Sequence, residues 1–111
     1  MGYDIVIATT EMGAGDTALT ENLMQGFIHT VAEKENKPSH VIMYGTGVKL
    51  AIKGSEAIED LRSLESAGVK VLSCGICLDY YEVANKLEVG GVTTMKEVVD
   101  ILAASENVVK P

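Results

Sequence analysis

Two cysteines, Cys74 and Cys77, are the only ones in the chain, and they stand in a C-x-x-C spacing inside Val71-Leu72-Ser73-Cys74-Gly75-Ile76-Cys77-Leu78-Asp79-Tyr80-Tyr81. The stretch opens as an apolar, β-type run and closes as a segment that can be helical. A strand that hands a cysteine to the start of a helix sets its sulfur among unpaired backbone N–H groups. Those donors and the helix dipole favour a thiolate near neutral pH. Nucleophilic sulfur chemistry is the reading this spacing supports. The competing reading is packing, since free cysteine is among the most buried residue types. Two thiols on one strand-to-helix turn put the chemical reading ahead.

Other candidates are weaker. A zinc or iron–sulfur site needs further thiol or imidazole ligands near Cys74 and Cys77, and the sequence offers none close by, so no metal and no cofactor is expected. His40 opens a strand and belongs at the opposite, amino edge of a sheet; His29 lies well inside a helix. Both read as surface or half-buried structural residues. Gly13-Ala14-Gly15-Asp16-Thr17-Ala18 fits G-x-G-x-x-G/A. A dinucleotide site wants an acid after the second strand, where Tyr44 stands instead, and Glu11 and Asp16 would repel a phosphate. A tight turn with a capped helix is the better account. Lys49 follows the second strand, where a cation would favour a thiolate, although a solvated lysine fits equally well. Tyr80 is a candidate pocket residue, Tyr81 a packing residue. Asp79 is read as facing water in the first helical turn.

The elements that must position these groups follow from periodicity. Asp4–Thr9 is a strand buried on both faces, as in a parallel sheet. After the loop Thr10–Gly15, Asp16 is a plausible N-cap. The following helix carries Leu19, Leu23, Phe27 and Val31, with Met24 and Ile28, as a stripe facing the sheet, and stops near Asn36, before Pro38. His40–Tyr44 is the second strand, broken by Gly45-Thr46-Gly47, with one or two helical turns over Val48–Ile52. Ser55 caps a helix whose face is Ala57, Ile58, Leu61 and Leu64, closed by Gly68 in a left-handed conformation. Val69–Ser73 is the third strand, and a helix runs from Cys77 or Leu78 to about Lys86. Leu87–Val92 holds a short strand blurred by Gly90-Gly91. Thr94-Met95-Lys96-Glu97 is a capping box, and the helix it starts buries Met95, Val98, Val99 and Leu102. Asn107–Lys110 is a final strand.

Repeated βα units mean an α/β fold with a parallel sheet and helices on both faces. The 111 residues make one domain, 1–111, with enough chain to bury a core. In such sheets ligands gather at the carboxyl ends of the strands. That edge collects Gly13, Gly15, Gly47, Lys49, Gly75 and Tyr80 around the cysteines as candidate pocket residues.

The formal net charge of −7, with no Lys/Arg cluster, argues against nucleic acid and against an anionic membrane surface. There is no apolar run of membrane-spanning length and no secretory leader pattern, so a cytoplasmic protein with reduced thiols is expected.

Met12-Gly13-x-Gly15-Asp16, Gly47-Val48-Lys49-Leu50-Ala51, Cys74-Gly75-x-Cys77-Leu78-Asp79-Tyr80-Tyr81 and the closing Val109-Lys110-Pro111 together resemble the DsrE/DsrF-like family over essentially the whole chain. The likeness is closest to the C-terminal domain of YedF-type proteins linked to selenium metabolism. The resemblance implies a three-layer α/β/α fold with a five-stranded parallel sheet, and homo-oligomers. It further implies a sulfur (or selenium) carrier or sulfurtransferase with a persulfide on Cys74. Cys77 is the extra cysteine of the YedF-type motif and is expected to resolve the persulfide or assist. YedF-type proteins usually carry a TusA-like domain upstream. This chain starts at the DsrE-like domain, so a TusA-like carrier protein is the expected partner. A thiol–disulfide redox protein using Cys74 and Cys77, and a non-catalytic oligomeric binding module, are the alternatives.

Overall fold

The computed structural model describes residues 2–111. Its core is a five-stranded, wholly parallel sheet in the order β4-β3-β2-β1-β5. The strands are β1 (Asp4–Ile7), β2 (His40–Met43), β3 (Lys70–Cys74), β4 (Gly91–Thr93) and β5 (Val108–Val109). The helices are α1 (Thr17–Glu33), α2 (Ile58–Ser66), α3 (Gly75–Tyr80) and α4 (Met95–Ala104), with 3-10 turns at Gly45–Ala51 and Ala84–Lys86. Asp4 to Ile7 are buried at every position, as expected of a strand covered on both faces.

The strand order dictates how the helices divide. The chain steps from β1 to β2 to β3 to β4 in one direction, and right-handed crossovers place α1, α2 and α3 on one face. The last connection runs back from β4 across the sheet to β5, so the same handedness sends α4 to the other face. The core divides accordingly. Ile5, Ile7, Val41, Met43 and Val71 point into a large cluster with Met24, Ile28, Leu61, Leu64 and Leu78. On the other face a small cluster holds Val6, Ile42 and Val98, with Ile101 and Leu102 packed beside it.

Several elements depart from the sequence reading. The stripe of α1 is rotated: Thr20, Met24, Ile28, Val31 and Ala32 are buried, whereas Leu19 and Leu23 are exposed. Thr20 turns inward because its hydroxyl donates to Glu11 Oε1 at 2.7 Å, pinning the glycine loop to the helix. Asp16 occupies the N-cap position but makes no side-chain cap bond. Met95 and Val99 of α4 are 52% and 55% exposed, because one helix spanning the sheet buries only Val98 fully. The helix expected from Cys77 or Leu78 to Lys86 begins instead at Gly75 and ends at Tyr80, where Glu82 takes a positive φ of 56°. The short strand expected within Leu87–Val92 lies at Gly91–Thr93. Leu87 forms an isolated antiparallel bridge with Ile52, which ties the first 3-10 turn to the segment after α3. Gly68 takes its left-handed φ of 97°, and Thr94 caps α4 by accepting from Glu97 N at 3.2 Å. Glu97 does not close the box on the Thr94 backbone; its carboxylate takes the Thr93 hydroxyl.

Candidate functional site at the end of the third strand

β3 ends directly in the cysteine pair. Cys74 is both its last residue and the N-cap of α3; Cys77 lies in the first turn. Neither is in a disulfide. The structure places Cys74 only 4% exposed, against the large core cluster, with Cys77 half-buried on the solvent side of it. Gly45 N–H donates to Cys77 Sγ at 3.1 Å. That amide comes from the start of the 3-10 turn after β2, which is the strand beside β3.

This geometry corrects the expected electrostatics. Burial, and after it the neighbouring Cys74 thiol, push the Cys77 thiol up from its ordinary value, and the Gly45 amide offsets only part of that rise. Cys77 at rest is a thiol. α3 has six residues, so little dipole gathers at its start. Of the two residues, moreover, Cys77 is the more exposed, and Cys74 is buried.

The other candidates separate. Lys49 Nζ lies 4.5 Å from the centroid of the Tyr81 ring, a cation–π contact. Tyr81 N–H in turn donates to Cys77 O at 3.1 Å, so Lys49 rests on the turn that closes the cysteine helix. Lys49 also lines a cavity of about 490 Å³ with Thr10, Glu21, Asn22, Gln25 and Ser55. Gly47 is no pocket residue. A Cβ there would stand 2.3 Å from Ile7 O, so its lack of a side chain lets the 3-10 turn pack on the end of β1. Gly13 and Gly15 take positive φ of 74° and 153° in the loop after β1, which makes them turn residues. Gly75 starts α3, where a Cβ would press on Val92 Cγ1 at 3.0 Å; the small residue lets the helix cross close over β4. Tyr80 is 80% exposed, stacked edge-on against Tyr81 with ring centroids 5.2 Å apart.

The sequence does not single out Gly45. Its only signal there is a glycine directly after a strand, and nothing local shows that its amide meets a sulfur 32 residues on. Both histidines are structural. His40 Nδ1 pairs with Asp4 Oδ1 at 2.7 Å at the amino edge, and His29 links α1 to Asp60 of α2 at 3.1 Å. Among the described residues no group of three or more His, Cys, Asp or Glu side chains could hold a metal ion, and no helix is long and apolar enough to cross a membrane.

The family model for the DsrE/DsrF-like family matches residues 2–111. No curated protein matches. Solved structures similar to this chain include a protein of unknown function, MTH1491, from Methanobacterium thermoautotrophicum. It is 18% identical, covers 98% of this chain and 97% of its own, and superposes with a TM-score of 0.72. The YchN protein of E. coli is 15% identical over 100% of both chains, with a TM-score of 0.75. A conserved protein of unknown function, BT1422, from Bacteroides thetaiotaomicron is 15% identical over 97% of this chain and 94% of its own, with a TM-score of 0.63. At these identities the likeness is one of fold.

Proposed function

This chain belongs to the DsrE/DsrF-like family, a family associated with sulfur relay, and from that premise we propose that it carries sulfur as a persulfide on the Cys74–Cys77 pair. The observation that carries the reading is the placement of both cysteines on one strand-to-helix turn at the carboxyl edge of the sheet, one half-buried and one sheltered. Sulfur enters at Cys77, which solvent reaches. A persulfidic donor R–S–SH gives its outer sulfur to the Cys77 thiol, leaving R–SH and Cys77–S–SH. The adjacent Cys74 then takes that sulfur, returning Cys77 to the thiol, and holds it where bulk reductants do not reach. Transfer to an acceptor thiol reverses the order. Cys77 can also attack the Cys74 persulfide at its inner sulfur, giving a Cys74–Cys77 disulfide and releasing hydrosulfide.

Lys49, beside the turn that follows Cys77, is proposed to draw an anionic donor or acceptor to this edge. Gly13, Gly15, Gly75 and Tyr80 complete the rim such a partner would meet. A TusA-like carrier protein suits that role, and the motif resemblance to YedF-type proteins is the ground for including selenium. The test is mass spectrometry of the native protein after incubation with a sulfane donor. The expected result is one added sulfur atom on this pair, retained in Cys77→Ser more slowly loaded and lost in Cys74→Ser more quickly. Absence of any added sulfur on a protein that is still folded overturns the reading.

The placement of two free cysteines on one turn also favours a second reading, a thiol–disulfide redox protein. It requires a Cys74–Cys77 disulfide that forms and reduces reversibly in glutathione buffers, and the pair staying reduced across that range would exclude it.

A further inference from the structure

We propose that Ser73 is a positioning residue of this site, its hydroxyl being held to donate a hydrogen bond to the outer sulfur of the persulfide on the cysteine pair. The proposal rests on the persulfide reading above. Ser73 is completely buried, and its Oγ is the one fully buried side-chain nitrogen or oxygen, among the described residues, that has no hydrogen-bond partner. Buried polar groups are almost always paired, and an orphan beside reactive groups marks either a missing partner or a functional role.

The position of Ser73 says which partner is missing. It immediately precedes Cys74 in β3 and stands opposite Met43 of β2 in the register. Met43 and Val71 both point into the large core cluster, and strand alternation sends Ser73 into the same layer. Cys74 and Cys77 pack against that cluster too. The Gly45 amide that holds Cys77 Sγ lies two residues beyond Met43, so the Cys77 sulfur sits just past Ser73 at the strand ends.

As plain thiols, neither sulfur is hydrogen-bonded by the hydroxyl. A persulfide sets a second sulfur about 2 Å beyond the first. Loading exchanges R–S–SH and a cysteine thiol for R–SH and Cys–S–SH, and the outer S–H then releases its proton to solvent. The acceptor becomes an anion in a dry layer, where a hydroxyl donor is worth most. The orphan hydroxyl is thus paired in the loaded state and unpaired in the empty one.

The experiment compares wild type, Ser73→Ala and Ser73→Thr after loading with a small organic persulfide. Mass spectrometry follows retention of the added sulfur against time and pH. Ser73→Ala is expected to lose the sulfur about tenfold faster, with the ionisation midpoint of the outer sulfur raised by about one pH unit. Ser73→Thr, which keeps the hydroxyl, is expected to restore both. Empty Ser73→Ala should melt no lower than wild type, since it removes an unpaired group. Should Ser73→Ala fail to fold, Ser73→Thr against Ser73→Val gives the same contrast at matched shape. Retention and pH profile unchanged by loss of the hydroxyl would overturn the role of Ser73 and leave the carrier reading standing. A folded wild type that takes up no sulfur overturns both.

Discussion

The two faces of the sheet are built to different depths. On one, α1, α2, α3 and a 3-10 turn bury a large cluster running from Ile28 through Leu64 to Cys74. On the other, α4 alone crosses from β4 to β5 and seals Val6, Ile42 and Val98. The difference follows from the direction of four crossovers and owes nothing to the hydrophobicity of the sequences involved. The deep face supplies a rigid, dry floor for the cysteine turn. The shallow face leaves Met95 and Val99 more than half exposed, and Val108 at the edge in β5. The homo-oligomer that the family resemblance implies can be tested on this strip.

The largest expected effect tests that depth directly. Leu64→Ala removes a side chain that is fully enclosed between α2 and the sheet, and should lower stability by about 2–5 kcal/mol in urea unfolding. Val98→Ala, at the centre of the shallow face, should cost about 1–2 kcal/mol. Equal losses would mean that the shallow face is as well packed as the deep one, and the contrast would fail.

Which parts of this were legible beforehand depends on how local the cause is. The βα alternation, the Thr94 cap, the left-handed Gly68 and the C-x-x-C at the end of the third strand each follow from a few neighbouring residues, and all four stand in the structure. The stripes of α1 and α4 do not. Leu19 and Leu23 read as core because they are leucines at helical spacing. The helix turns instead on the Thr20–Glu11 hydrogen bond, made between a helix and a loop. Met95 and Val99 read as core because nothing in their own segment says that only one helix covers that face. The site divides in the same way. The cysteines are visible in sequence, whereas the Gly45 amide on Cys77, the shelter around Cys74 and the orphan hydroxyl of Ser73 come from strands brought together only by the fold.

The next effect in size sharpens the contrast at the start of α4. Among the described residues, Thr94 is the one N-cap side chain of the four α-helices that bonds its own helix, accepting from Glu97 N. Thr94→Ala should cost about 1 kcal/mol in the same unfolding assay, and Thr94→Ser should recover most of it. A smaller change in stability, within about 0.5 kcal/mol, is expected for Val99→Asp, because the residue is exposed in the single chain. Sedimentation of Val99→Asp beside wild type tests the homo-oligomer implied by the resemblance, the expected outcome being a smaller species for the variant. A Val99→Asp protein that sediments as wild type would show that the shallow face is not where copies meet.

The smallest effect belongs to the outer surface of the deep face. His29 on α1 is exposed and faces Asp60 on α2, with Glu33 3.5 Å away on its own helix. The hydrogen bond to Asp60, and after it the charges of Glu33 and Asp60, raise the His29 pKa above its ordinary value. The folded state therefore binds this proton more tightly than the unfolded chain does. The resulting stabilisation is complete below the unfolded histidine pKa, about 6.5, and fades as pH rises through the higher folded value. His29→Gln should flatten the stability–pH curve in that window and leave it unchanged at higher pH. Solvent screens an exposed pair, so the change should be small at low salt and vanish at high salt. Persistence of the pH dependence in His29→Gln would mean that another group on this surface, and not the bridge between α1 and α2, carries it.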